Sequence, residues 1–170
     1  MTRKEFRFCP ACATPYESAE SWPRTCRECR YVVYRNPTPL GIVVVPIEDG
    51  VLGIRRADGA FAGGMALPGG TLEAGETWEF GAARELREET GIIVEPDELT
   101  HLKTLSSSFG DGYVLIFGLA KPRPRSALDQ FTPNSEVAEL RVIKDDEPLC
   151  FETHVRVLKD YFAEFRGGRR

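Results

Sequence analysis

The sequence predicts an α/β/α sandwich built on a mixed sheet and preceded by a small separate N-terminal module. Three observations predict it. Runs of β-branched and aromatic residues, such as Gly41-Ile42-Val43-Val44-Val45-Pro46-Ile47, recur between turn signals and read as buried strands. Two segments, 77–90 and 153–165, instead carry strong helix formers or apolar residues at helical spacing. Four of the five cysteines fall ahead of a proline-rich junction, which sets that stretch apart. The expected boundaries are 1–36 for the module and 37–170 for the sandwich.

In chain order, Cys9-x2-Cys12, thirteen residues and Cys26-x2-Cys29 make two CxxC knuckles. Four thiolates in that pattern suit one tetrahedral Zn²⁺, and a site with all four positions filled by protein is structural. Two disulfides are the competing reading. They need an oxidising compartment, and the opening MTRKEFRFCP has no apolar export segment, so the expected location is cytoplasmic. Cys150 is left as a packed free thiol. Asn36-Pro37-Thr38-Pro39 reads as a stiff linker. Strand 41–47 turns at Glu48-Asp49-Gly50 into a returning strand, 51–55. A short strand at 65–67 leads to Gly69 and Gly70, which follow Pro68 and should let the backbone turn tightly. Helix 77–90 stops at Gly91. Strands at 99–105 and 113–120 follow, then a surface loop with three prolines at 121–134, a strand at 136–143 and a helix at 153–165. There is no internal repeat, and the final RGGRR is expected to be disordered.

Charge is uneven. The 170 residues carry a net −4, but residues 1–36 hold seven Lys/Arg against four Asp/Glu, giving +3, and the rest sum to −7. Nucleic acid stays open as a partner of the basic module but is not favoured, since such charges also read as a solvated face or a dock for the acidic domain. No apolar run approaches the roughly twenty residues that a membrane span needs, so no membrane partner is expected.

The densest chemistry lies in helix 77–90. At about 100° per residue, Glu85, Glu88 and Glu89 fall on one face at i, i+3 and i+4. Like charges so close raise one another's pKa unless a cation sits among them. Oxygen-only ligands suit Mg²⁺ or Mn²⁺, and Mg²⁺ commonly bridges to substrate phosphates, which predicts phosphoryl chemistry. The competing reading is a solvated acidic face balanced by Arg84 and Arg87.

The whole segment 70–92 reads Gly70, five residues, Glu76, seven residues, then Arg84-Glu85-Leu86-Arg87-Glu88-Glu89-Thr90-Gly91-Ile92, and it resembles the Nudix box at every specified position. The resemblance implies a loop-helix-loop that binds divalent cations and hydrolyses a nucleoside diphosphate linked to another group, usually by water attack on phosphorus. It makes Glu85, Glu88 and Glu89 metal ligands, with one carboxylate accepting the proton of water; family members differ in which. Glu76 either joins the metal shell or favours the positive end of the helix dipole. Arg84 orients a box carboxylate, and Gly69 and Gly70 let the backbone lie beside the phosphates. Glu136 falls where many members place a further acid, with Glu139 as the alternative.

A zinc ribbon ahead of a Nudix domain resembles two groups. NADH pyrophosphatases, which also act on NAD-capped RNA, carry a Ser-Gln-Pro-Trp-Pro-Phe-Pro array where this chain has Leu105-Ser106-Ser107-Ser108-Phe109-Gly110-Asp111-Gly112. The compact FAD and ADP-ribose pyrophosphatases instead share a junction like Tyr34-Arg35-Asn36-Pro37 and a C-terminal helix like Val157-Leu158-Lys159-Asp160-Tyr161-Phe162. The second resemblance implies cleavage of ADP-ribose or FAD to AMP, and it suggests a homodimer. Phe109 or Tyr113 could stack on a ring or simply pack the core. His101 and His154 receive no role. A nucleotide-sensing regulator that binds DNA is the non-enzyme alternative, disfavoured by the intact box and by the absence of a helix-turn-helix pattern.

Overall fold

The computed structural model describes residues 7–17, 22–107 and 112–167, with side chains in the last helix as far as Glu164. Its elements are β1 (Arg24–Thr25), β2 (Val32–Val33), β3 (Thr38–Val44), β4 (Pro46–Ile47), β5 (Gly50–Arg56), β6 (Met65–Ala66), β7 (Gly69–Thr71), α1 (Trp78–Thr90), β8 (Thr100–Ser107), β9 (Tyr113–Leu119), β10 (Val137–Ile143) and α2 (Glu152–Gly167). Strands β1 and β2 pair only with each other.

A mixed sheet in the order β7-β3-β9-β8 forms the middle layer. β3 runs parallel to β9, from Thr38 opposite Tyr113 to Val44 opposite Leu119, and antiparallel to β7, with Gly41 opposite Gly70 and Ile42 opposite Gly69. Successive strand side chains point to opposite faces, so Ile42 and Val44 enter one core and Val43 and Val45 the other. Helix α1 covers the second face with Ala82, Ala83 and Leu86, and α2 covers the first with Val157, Leu158, Tyr161 and Phe162. This double coverage is why the 41–47 run is apolar at every non-glycine position instead of alternating. Each fully buried Val, Leu or Ile in it contributes about 1.5–3 kcal/mol. A second sheet, β10-β5-β4 with β6 also on β5, is antiparallel and carries the chain into the segment before α1.

Helix α1 starts where Thr77 Oγ1 accepts the Phe80 amide at 3.4 Å and ends where Gly91, left-handed at φ 76°, donates to the Arg87 carbonyl. Several sequence expectations need correcting. Thr38 and Pro39 belong to β3 and not to a linker, because the parallel pairing with β9 extends that far and the Pro39 carbonyl accepts the Leu72 amide. Gly69–Thr71 is strand β7, held by β3, and not a turn. The loop at 121–134 contains a 3-10 turn, Arg125–Leu128, beginning after Pro124. Of the RGGRR end, α2 includes Arg166 and Gly167, and residues 168–170 lie outside the described residues.

Candidate active site

Helix α1 and strand β7 meet along a line of carboxylates organised by one guanidinium. Arg84 donates through Nε to Glu76 Oε1 (2.8 Å), through Nη1 to Glu85 Oε1 (3.0 Å) and Glu88 Oε2 (3.1 Å), and through Nη2 to Glu76 Oε2 (3.0 Å) and the Thr71 carbonyl (3.0 Å). Its planar fork therefore ties three acids of the box to the edge of the sheet. Glu76 also accepts the Glu73 amide at 2.8 Å, and the Arg84 contact followed by that amide holds its pKa down at about 2. The helix cap itself is Thr77.

Glu89 sits on the buried side, 5% exposed, and accepts the Gly69 amide at 2.7 Å. Burial pushes its pKa up to about 8, with the negative charges of Glu85 and Glu136 adding to the shift against the Gly69 hydrogen bond. Burial also raises Glu85, despite Arg84. Two glycines make this approach feasible. A Cβ on Gly70 would stand 2.4 Å from Glu85 Oε2, and one on Gly69, whose φ is 140°, would stand 2.2 Å from the Gly41 carbonyl.

Glu136 comes from the turn before β10. Asn134 shapes that turn: its Oδ1 accepts the Glu136 and Val137 amides (2.9 and 2.8 Å), while its Nδ2 donates to the Glu89 carbonyl at the end of α1 (3.1 Å). The exposed Glu136 thus contributes to the field at Glu85 and Glu89. Glu139 is committed elsewhere, to Arg55 Nε at 2.7 Å across the β5–β10 pair. Asn134 went unrecognised in the sequence, although Pro133-Asn134-Ser135 is turn chemistry in which Asn accepts amides further along the chain. Carboxylates with raised pKa values beside one another are a donor set that a hard divalent cation fits.

Against β7 lies a cavity of about 340 Å³ lined by Gly69, Gly70 and Thr71, with Phe61, Tyr113, Phe151 and Arg56 among its walls. Tyr113 is thus placed at the cavity, and Phe109 lies outside the described residues. His154, also lining it, is 3% exposed and accepts the Leu67 amide through Nδ1 at 3.1 Å. Its ring meets Phe117 and Phe151 with centroids 5.6 and 5.0 Å apart, and burial, then the Arg56 charge, push its pKa down to about 3. It is therefore a neutral acceptor clamping the chain just before Gly69. The signal was present: His154 stands at i with Val157, Leu158 and Tyr161 at i+3, i+4 and i+7 on the buried face of α2.

In the N-terminal module the two knuckles repeat one geometry. Ala13 donates to the Cys9 carbonyl and Cys9 to that of Thr14; Arg30 donates to the Cys26 carbonyl and Cys26 to that of Tyr31. Ala13 and Arg30 are both left-handed, at φ 60° and 63°. The sulfurs of Cys9, Cys12, Cys26 and Cys29 all lie within 4.8 Å of one another, with Cys9–Cys29 at 3.6 Å and Cys12–Cys26 at 3.5 Å. A tetrahedral zinc with Zn–S near 2.3 Å sets S–S edges of about 3.8 Å, so the four thiols fit one ion. Among the described residues they are the one group of three or more such ligand atoms so close; Arg84 and the Gly69 amide hold the box acids further apart.

A model of the NUDIX domain matches residues 37–156. The chain is 28% identical over 132 residues to the ADP-ribose pyrophosphatase of Methanocaldococcus jannaschii, covering 78% of this chain and 77% of that one. It is 33% identical over 96 residues to the NAD-capped RNA hydrolase NudC of Salmonella paratyphi B, covering 54% of this chain and 36% of the relative. The chain spans from about a third to about three quarters of the length of the curated relatives it matches. Among solved structures, a NUDIX hydrolase from Nitrosomonas europaea superposes with a TM-score of 0.73 at 27% identity, covering 95% of this chain and 93% of that one. Among the described residues no helix is long and apolar enough to cross a membrane.

Proposed function

The chain belongs to the NUDIX domain family, and from that premise we propose that it is a metal-dependent pyrophosphohydrolase that cleaves an ADP-containing diphosphate, ADP-ribose or FAD, to release AMP. The observation that carries this is the meeting of Glu85 and Glu89 with Gly69 and Gly70, the same two glycines that line the adjoining cavity. Glu85, Glu88 and Glu89, with Glu76 behind Arg84, would hold Mg²⁺ or Mn²⁺. A metal bound there would supply neutralisation of the diphosphate charge and a more acidic water. Arg84 orients Glu85 and Glu88, Glu89 is fixed by the Gly69 amide, and one carboxylate of the group, Glu136 included, accepts the proton that water gives up. Tyr113 is a wall on which a ring can stack. The four thiols hold one structural Zn²⁺, a state suited to a reducing cytoplasm.

The likeness to the archaeal ADP-ribose pyrophosphatase supports the ADP-ribose assignment, since it runs along most of both chains. A second reading, NADH or NAD-capped RNA, is favoured by the NudC likeness, which covers a smaller part of each chain. AMP release with Mg²⁺ or Mn²⁺ across ADP-ribose, FAD, NADH, NAD-capped RNA and nucleoside triphosphates, compared by kcat/KM, separates them. Preference for ADP-ribose or FAD is expected. Preference for NADH or capped RNA would move the assignment to the second reading, and no turnover on any diphosphate would sink both.

A further inference from the structure

Arg56 is the cation at this site that the hydrolase chemistry has not used. Strand alternation sends it and its neighbour Arg55 to opposite sides of β5. Arg55 is held by Glu139 and by the Gly63 carbonyl. Arg56 lines the 340 Å³ cavity with its Nε buried and without a hydrogen-bond partner. Its guanidinium lies 5.8 Å from the centroid of Phe151, which fixes the plane against an aromatic wall. The backbone on both sides is rigid, because the Arg56 amide donates to the Gly64 carbonyl and its carbonyl accepts the Gly63 amide.

A buried guanidinium nitrogen with no acceptor is costly, and native proteins leave few such groups. Arg84 cannot serve a ligand as Arg56 can, since its donors go to Glu76, Glu85, Glu88 and Thr71. The Arg56 charge is felt at Glu89, so the two groups share one site although they do not pair. An anion that enters the cavity beside Gly69 and Gly70 would meet the Arg56 guanidinium on its wall. A planar fork matches phosphate in bidentate fashion.

We propose that Arg56 is the substrate-anchoring residue of this cavity, its guanidinium binding a phosphoryl oxygen of the diphosphate and so making the site selective for phosphorylated nucleosides over the nucleoside. The identity of the anion rests on the hydrolase reading; the place of the Arg56 guanidinium on the cavity wall and against Phe151 does not.

The test is direct binding of adenosine, AMP and ADP in Mg²⁺- and Mn²⁺-free buffer to wild type, Arg56→Gln and Arg56→Lys, with melting midpoints recorded for each protein. Wild type should bind ADP more tightly than AMP and AMP more tightly than adenosine. Arg56→Gln should weaken ADP by about ten- to a hundredfold and leave adenosine within about twofold, because only the phosphate loses a charged partner. Arg56→Lys, which keeps the charge without the fork, should fall between. Comparing ligands within one protein cancels any general loosening of the fold. Equal losses for adenosine and ADP would make Arg56 a packing residue, and either unchanged ADP binding in Arg56→Gln or no ADP binding by wild type would overturn the inference. A protein that turns over ADP-ribose yet binds ADP independently of Arg56 keeps the hydrolase reading and loses this one; Arg56-dependent ADP binding without turnover does the reverse.

Discussion

The Glu89 carboxylate accepts the Gly69 amide at 2.7 Å, joining the last turn of α1 to the first residue of β7. One hydrogen bond thereby decides how the acidic helix face sits against the strand that lines the cavity. A glutamine at 89 can still accept that amide through its side-chain oxygen but carries no charge. Glu89→Gln is expected to stay folded, by circular dichroism and melting, and to lose about two to four powers of ten in kcat. Activity close to wild type would remove Glu89 from the catalytic group.

Adjacent glycines should answer the same substitution differently. Gly69→Ala sets a Cβ 2.2 Å from the Gly41 carbonyl at a backbone φ of 140°, and neither backbone can yield. It should cost about 3 kcal/mol or more and leave little folded protein. Gly70→Ala meets the far end of Glu85, which can swing aside. That variant should melt near wild type and lose activity, because Glu85 leaves its place beside Arg84. Equal stability in denaturant titrations of the two variants would contradict the geometry.

His154 sets a pH dependence whose sign follows from burial. Its folded pKa is pushed down to about 3, below the ordinary 6.5, so below pH 6.5 the unfolded chain binds the proton and the native state does not. Its contribution is present above pH 6.5 and lost as pH falls, at up to about 1.4 kcal/mol per unit. Glu89 acts in the opposite sense in metal-free protein: its raised pKa stabilises at low pH and the gain is lost as pH rises through about 8. The clean measurement is the difference between wild type and His154→Leu, in which the carboxylates cancel. The variant should be less stable at pH 7.5, by about 1–3 kcal/mol for the orphaned Leu67 amide, and the gap should shrink from pH 6.5 to pH 5. A gap constant with pH would mean that His154 takes up its proton in the fold as readily as in the unfolded chain.

Zinc should be separable from the catalytic domain. Among the described residues, none of the three apolar core clusters contains a residue before Leu40, so the sandwich does not draw on the module for its core. Metal analysis should find about one zinc per chain, and Cys26→Ala should abolish it. Differential scanning calorimetry of that full-length variant should retain the main transition. Collapse of the whole protein on losing zinc would show that the module supports the sandwich.

How much was legible in the sequence depends on how local the signal is. Helix 77–90, the stop at Gly91 and the buried apolar run at 41–47 were readable because propensity, cap chemistry and apolar runs act over a few residues, whereas the break of that run at Val45 into β3 and β4 of two different sheets was not. The thiol knuckles were readable for the same reason: CxxC spacing is a covalent constraint. The roles of Arg56, Asn134 and His154 were not, since each depends on partners far along the chain: Phe151 with the cavity wall, Glu89, and Leu67 respectively.

By itself the sequence determined the family, the acidic stripe on α1 and the four thiols, because periodicity and spacing place those groups whatever the rest of the chain does. Only the tertiary structure decided which acid is buried, which arginine is spent on the acids and which is left facing the cavity. Those outcomes follow from strand register and burial: β7 pairs with β3 so that Gly69 reaches Glu89, and β5 turns Arg55 toward Glu139 while Arg56 lines the cavity. A one-residue shift in either strand would exchange those faces, and the side chains would keep their chemistry but lose their site.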